Sequence, residues 1–126
     1  MSGERILVVE DNEKNMKLFR DVLVATGYRT LEATTGSEAV DMASEQLHDL
    51  VLMDIQLPDL DGVQALHRLR ANTRTATIPV LALTAQAMQG DRERFLAAGF
   101  DGYLSKPVDV RELIGIVRKH CGGGGR

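Results

Sequence analysis

Asp49-Leu50-Val51-Leu52-Met53-Asp54 is an apolar run closed at its far end by a carboxylate. Leu50 to Met53 are apolar at odd and even positions alike, the pattern of a central parallel strand whose sheet is covered on both faces. Pro58 stops the run, so the reading is a strand that delivers Asp54 to a loop. Three other stretches repeat the device. Ile6-Leu7-Val8-Val9 ends on Glu10-Asp11, Val80-Leu81-Ala82-Leu83 ends on Thr84-Ala85, and a shorter strand over 102–105 runs into Lys106-Pro107. In open parallel sheets, ligands sit beyond the carboxyl ends of the strands, close to where strand order reverses. Two acidic ends, a hydroxyl and an amine therefore fall where a site is expected.

Between these strands lie helical patterns. Glu13 to Ala25 carries Met16, Phe19, Val22 and Leu23 at helical spacing, and Gly27 is read as its left-handed cap. Tyr28 to Ala33 reads as an edge strand because Arg29 and Glu32 interrupt it. Thr35 and Glu38 form a T-x-x-E capping box opening a helix whose apolar face is Ala39, Val40, Ala43 and Leu47. The Pro and Asp-Gly signals of 55–62 predict a mobile loop, Val63, Leu66 and Leu69 a third helix, and Gln86 to Ala98 a fourth, with Gly90-Asp91 a competing start. Asp109 and Glu112 are placed as a second capping pair for a last helix reaching His120. Alternating strands and helices give an α/β domain, a doubly wound (βα)5 fold with a parallel sheet of order 2-1-3-4-5 and helices on both faces. The domain is expected over 1–121, followed by a flexible Gly-rich tail over 122–126.

Composition narrows the function. At 126 residues and 44% apolar the chain fits one domain with an ordinary core. A net charge of −3 without basic-aromatic clusters argues against direct nucleic-acid binding. Apolar runs of about four residues fall far below the roughly 20 that span a bilayer, and no signal-peptide pattern is present, so a cytoplasmic protein is expected. Cys121 is the only cysteine, which excludes an internal disulfide; its helical phase with Val110, Leu113, Ile114 and Val117 marks it as a small core hydrophobe.

In the 2-1-3-4-5 order the first and third strands are neighbours, so Glu10, Asp11 and Asp54 converge. Taken singly, each acid is better explained as a helix or loop cap. Together they need cations, because two unit charges about 4 Å apart repel by about 4 kcal/mol at an effective dielectric near 20. Lys106 supplies one charge, and the three carboxylates then retain a formal −2. A hard, oxygen-only set with room for water suits Mg²⁺, or Mn²⁺, better than Ca²⁺, and the loop after Asp54 could add the backbone carbonyl of Gln56. A cation beside a carboxylate, with a hydroxyl (Thr84) and an ammonium (Lys106) facing it, is what phosphoryl transfer to Asp54 requires. Small Ala85 keeps the approach open.

The same residues resemble, in order and spacing, a response-regulator receiver domain of the CheY-like superfamily, from about Ile6 to Val117. The wider wording, Glu10-Asp11-Asn12-Glu13-Lys14-Asn15, Met53 to Pro58 and Ala87 to Asp91, is similar to stand-alone regulators of the DivK type, and also to receivers of hybrid kinases. The resemblance implies a phosphoprotein of two-component signal transduction rather than an enzyme, although self-phosphorylation from small donors and autodephosphorylation go with it. Asp54 would take a phosphoryl group from a histidine kinase or phosphotransfer protein, with Asp11 binding Mg²⁺ directly and Glu10 through water. Thr84 and Tyr103 would move together as a switch that repacks the surface of helix four, strand five and helix five for a downstream protein. Arg92, Arg94, Arg111, Arg118 and Lys119 lie on the helices of that surface. Gln56 and Gln86 occupy positions that tune loss of the phosphoryl group, and Asn15, Leu18, Pro107 and Val108 are candidate contacts for the kinase.

Competing readings are weaker on particular residues. A haloacid-dehalogenase-type phosphatase wants a second acid where Gln56 stands, and a flavodoxin-like phosphate loop is incompatible with Glu10-Asp11-Asn12-Glu13. The scattered His48, His67 and His120 form no nucleophile relay. A phosphorylation-independent adaptor of the same fold would be expected to have lost at least one of the acid, Thr and Lys set.

Overall fold

The computed structural model describes residues 3–85 and 91–121. Strands β1 (Arg5–Val9), β2 (Arg29–Ala33), β3 (Leu50–Asp54), β4 (Val80–Thr84) and β5 (Gly102–Ser105) alternate with helices α1 (Glu13–Ala25), α2 (Gly36–Glu45), α3 (Gly62–Ala71), α4 (Asp91–Ala98) and α5 (Val110–Cys121). All strand pairs are parallel and the order is β2-β1-β3-β4-β5, as the sequence predicts. Every residue of β3 and β4 is buried, while β2 and β5 carry exposed positions, which is why only the central strands read as unbroken apolar runs.

Pleating sends alternate side chains to two cores. Ile6, Val8, Leu50, Leu52, Leu81, Leu83 and Leu104 pack with Met16, Phe19 and Leu23 of α1 and Leu113 and Val117 of α5. Leu7, Val9, Val51, Met53, Val80 and Ala82 face the other way, toward Ala39 and Ala43 of α2, Leu66 and Leu69 of α3, and Phe95 of α4.

Several local expectations are met in detail. Gly27 has φ of 100°, and the Gly27 and Tyr28 N–H groups donate to the carbonyls of Val24 and Leu23, closing α1 as a Schellman motif. Tyr28 therefore belongs to the helix stop, and β2 begins one residue later than its apolar pattern predicts. Asp109 Oδ1 accepts from the N–H groups of Arg111 and Glu112. Thr35 caps α2 through the Glu38 N–H, but the Glu38 carboxylate returns to the Thr34 N–H, one residue before the box position.

Three expectations are corrected. Leu47 is 80% exposed, because α2 ends at Glu45 and Gln46 turns extended; partly buried Met42 packs on the core instead. On α5, Val110 is exposed and Ile116, not Ile114, joins the core. Gly62, read as loop, is the first residue of α3 behind the Asp61 cap. The expected first turn of the fourth helix and the tail over 122–126 lie outside the described residues, and no described helix is long and apolar enough to cross a membrane. Cys121 is half-buried against the α1–α5 core, where burial and then the Asp49 and Glu4 carboxylates push its thiol up to about 12.

Candidate phosphoacceptor site

Parallel register assembles the site. Val9 pairs with Met53 and Asp54 with Leu83, so Glu10 and Asp54 leave neighbouring strands side by side. Thr84 pairs with Ser105, which brings Lys106 to the same end of the sheet. The backbone continues the pairing just beyond the strands: Glu10 N–H donates to Ala33, Ile55 N–H to Leu83, and Lys106 N–H to Thr84.

Glu10, Asp11 and Asp54 each offer one carboxylate oxygen, and these oxygens lie within 4.8 Å of one another. Glu10 and Asp54 are buried and Asp11 is exposed, which leaves the triad open to solvent on one side. Lys106 Nζ stands 2.8 Å from Asp54 Oδ2 and 2.7 Å from Glu10 Oε1. Burial raises the pKa of Glu10, against the lowering contacts from Lys106 and the Asn12 N–H. Burial alone would lower Lys106, yet its bonds to Asp54 and Glu10 outweigh that and hold it raised, so the ammonium stays charged. The donor set is hard, oxygen-only and net negative, and it fits a divalent cation of the Mg²⁺ kind.

Asp54, Thr84, Ala85 and Lys106 line a cleft of about 70 Å³ with Ile55, Gln56, Arg94 and Phe95. Thr84 is buried, and the Gln56 N–H donates to Asp54 Oδ1 at 2.9 Å, which aims the carboxylate. Tyr103 is half-buried, with its ring 5.9 Å from that of Phe95. Leu18 and Asn15 are half-buried on α1, Pro107 is exposed, and Val108 packs beside α1 and α5 on the same face of the sheet. Gln86 and the Arg92 side chain lie outside the described residues.

The structure adds residues that strand-end reasoning passed over. Asp59 Oδ1 accepts from the Gly36 N–H at 2.8 Å and Oδ2 from the Ser37 N–H at 3.1 Å. The loop expected to be mobile is thus tied to the start of α2. Gly62 lies so near the site that a Cβ would stand 2.6 Å from the Asp54 carbonyl oxygen and 2.9 Å from Ile55 Cα. Arg94, which the sequence reading places on the helix-four surface, also borders the cleft. The Asp61-Gly62 pair carried a helix-start signal, since Asp is a favoured cap, but nothing in the sequence signalled the Asp59 tether or the close approach at Gly62.

A doubly wound sheet whose reversal point gathers three acids, a hydroxyl and a bridging lysine defines a receiver module, and the response regulator receiver domain family model matches residues 6–118. The chain belongs to that family. It is 45% identical over 117 residues to the polar-differentiation response regulator DivK of Brucella ovis, covering 93% of this chain and 95% of that relative. The crystallised receiver domain of a sensor histidine kinase from Pseudomonas aeruginosa, which has a magnesium ion coordinated in its active-site cleft, is 42% identical with a TM-score of 0.88 over 96% of this chain and 99% of that one. The receiver domain of a Francisella response regulator is 28% identical with a TM-score of 0.89, over 96% and 98%.

Proposed function

We propose that the chain, over its domain of 1–121, is a phospho-accepting signalling receiver in which Asp54 takes a phosphoryl group from a histidine kinase or a histidine phosphotransfer protein. The observation that carries the reading is the Lys106 ammonium bridging Asp54 and Glu10, with Asp11 beside them. An Asp54 carboxylate oxygen attacks phosphorus while the P–N bond of a phosphohistidine, or the P–O bond of an acyl phosphate, breaks. The bonding pair leaves with the imidazole nitrogen or the donor's carboxylate oxygen. Lys106 and the Thr84 hydroxyl receive the phosphoryl oxygens, and Gln56 and Gln86 control how water reaches the product. Asp11 and Asp54, the Gln56 carbonyl and, through water, Glu10 would hold Mg²⁺, which would supply positive charge to the transferring group.

The aspartyl phosphate carries about −1.5 to −2 charge and three acceptor oxygens. Thr84 turns toward it and Tyr103 takes up the vacated space, repacking α4, β5 and α5 so that a downstream protein binds. Asn15, Leu18, Pro107 and Val108 form the contact with the phosphodonor protein. A Tyr103 ring signal that stays unchanged in NMR spectra when beryllofluoride is added would remove the switch. The likeness to a kinase receiver domain favours a second source of the same module, a receiver belonging to a hybrid kinase, with the same chemistry at Asp54.

The deciding experiment is intact mass after incubation with acetyl phosphate and Mg²⁺, beside Asp54→Ala and a metal-free control. A gain of one phosphoryl mass, about 80 Da, that needs both Asp54 and metal is expected. No adduct, together with no binding of beryllofluoride, overturns the reading in favour of a phosphorylation-independent adaptor.

A further inference from the structure

Lys106 is not the only cation at the phosphoacceptor cleft. Arg94 of α4 lines it together with Asp54, Thr84 and Lys106, and on its other side borders an open apolar groove formed by Ile55, Leu57, Val63, Phe95 and Ala98. Its guanidinium carbon lies 5.0 Å from the centroid of the Phe95 ring. That ring is buried and braced by Phe100, edge-on at 6.0 Å, and by Tyr103 at 5.9 Å. A planar guanidinium resting on a ring that packing holds still is already partly ordered, so less freedom is lost when it binds an anion.

Charge shows what that anion is. Apart from Arg94, the three carboxylates, the Lys106 ammonium and one divalent cation sum to formal neutrality. Converting the Asp54 carboxylate to an aspartyl phosphate of about −1.5 to −2 leaves up to one unit of negative charge uncompensated. The forked donors of an arginine match phosphoryl oxygens in geometry as well as sign.

We infer that Arg94 is a phosphoryl-binding residue whose guanidinium pairs with the group on Asp54 and so draws α4, through Phe95 and Tyr103, into the phosphorylated state. The inference rests on Asp54 being the phosphoacceptor. It gives Arg94 a role in the cleft itself, and it links the charge added at Asp54 to the aromatic packing under α4 by direct contact.

The test measures beryllofluoride affinity in Mg²⁺ for the wild-type chain, Arg94→Gln and Arg94→Lys, with Mg²⁺ affinity alone measured in parallel. Arg94 is exposed, and a thermal melt checks that the variants keep the fold. The glutamine variant is expected to bind beryllofluoride about tenfold more weakly, with the lysine variant between it and the wild type. Mg²⁺ affinity without beryllofluoride should not fall, which a merely structural defect would not allow. Unchanged beryllofluoride binding in Arg94→Gln, or equal losses in the two variants, overturns the inference while leaving the Asp54 reading in place. Failure of the wild type itself to bind beryllofluoride removes that reading and this inference together.

Discussion

Lys106 Nζ lies 2.8 Å from Asp54 Oδ2 although 52 residues separate the two in the chain. The same ammonium is 2.7 Å from Glu10 Oε1, and its side chain is 17% exposed, so one cation holds two carboxylates in a poorly solvated place. Breaking such a pair is costly because the remaining charges stay buried. Lys106→Met is therefore expected to lose about 2 kcal/mol or more of stability in metal-free buffer, and to gain more melting temperature on adding Mg²⁺ than the wild type does. Thermal melts with and without Mg²⁺ check this; equal stability without metal would show that the bridge is unimportant.

Gly62 allows α3 to start directly beneath the loop after β3, with its N–H donating to the Ile55 carbonyl at 2.8 Å. Gly62→Ala places a Cβ 2.6 Å from the Asp54 carbonyl oxygen, a contact that only a backbone shift relieves. A loss of about 1–3 kcal/mol in urea unfolding is expected, as for other overpacked sites, together with slower labelling by acetyl phosphate. Normal labelling in a destabilised variant would separate the packing of α3 from the aim of Asp54.

Asp59 ties the loop after β3 to α2. The Ser37 side chain first, and then the N–H groups of Gly36, Leu60 and Ser37, hold its carboxyl down to about 2, against an ordinary 3.8. A depressed carboxyl contributes stability that is whole above the unfolded value and is lost as pH falls through the folded one. Wild-type stability should therefore decline from about pH 4 toward about pH 2, and Asp59→Asn should be less stable at neutral pH with a shallower decline in that window. Denaturant melts across pH 2–7 measure both; parallel acid limbs would assign the decline to other carboxyls.

His48, two residues before β3, is 6% exposed. Burial holds its imidazole below the ordinary 6.5, against the raising contact with the Gln46 backbone, with Arg5 adding to the effect and Asp49 opposing it. Its neutral form is favoured in the folded chain, so stability is full above the unfolded value and falls as pH drops through the lowered one. His48→Gln should flatten the stability profile below about pH 6.5, and a histidine titration followed by NMR should place His48 below the ordinary 6.5. A His48 titration at or above the ordinary value would contradict this.

The unbroken runs at 6–9, 50–53 and 80–83 announced central strands because both of their faces are covered, and Gly27 announced a helix end because its backbone needs positive φ. Glu10, Asp11, Asp54, Thr84 and Lys106 were readable as one site because parallel strands all point their carboxyl ends to one edge. Leu47 was misread because its phase continues a helix that has already stopped. That Arg94 also borders the cleft was not legible, because periodicity tells which face of a helix is apolar, not what stands opposite its charged face.

The amino-acid order by itself determined the alternation of elements, the sheet order and the identity of the acidic and cationic residues at the strand ends, since these follow from local periodicity and from the handedness of crossovers. Tertiary structure alone decided that one ammonium bridges Glu10 and Asp54, that Asp59 anchors the loop to α2, that Gly62 must lack a side chain, and that Arg94 faces the cleft. Each of these joins residues far apart in the chain through distances of a few ångströms. Such distances are set by how helices seat on the sheet, and no repeating pattern along the sequence records them.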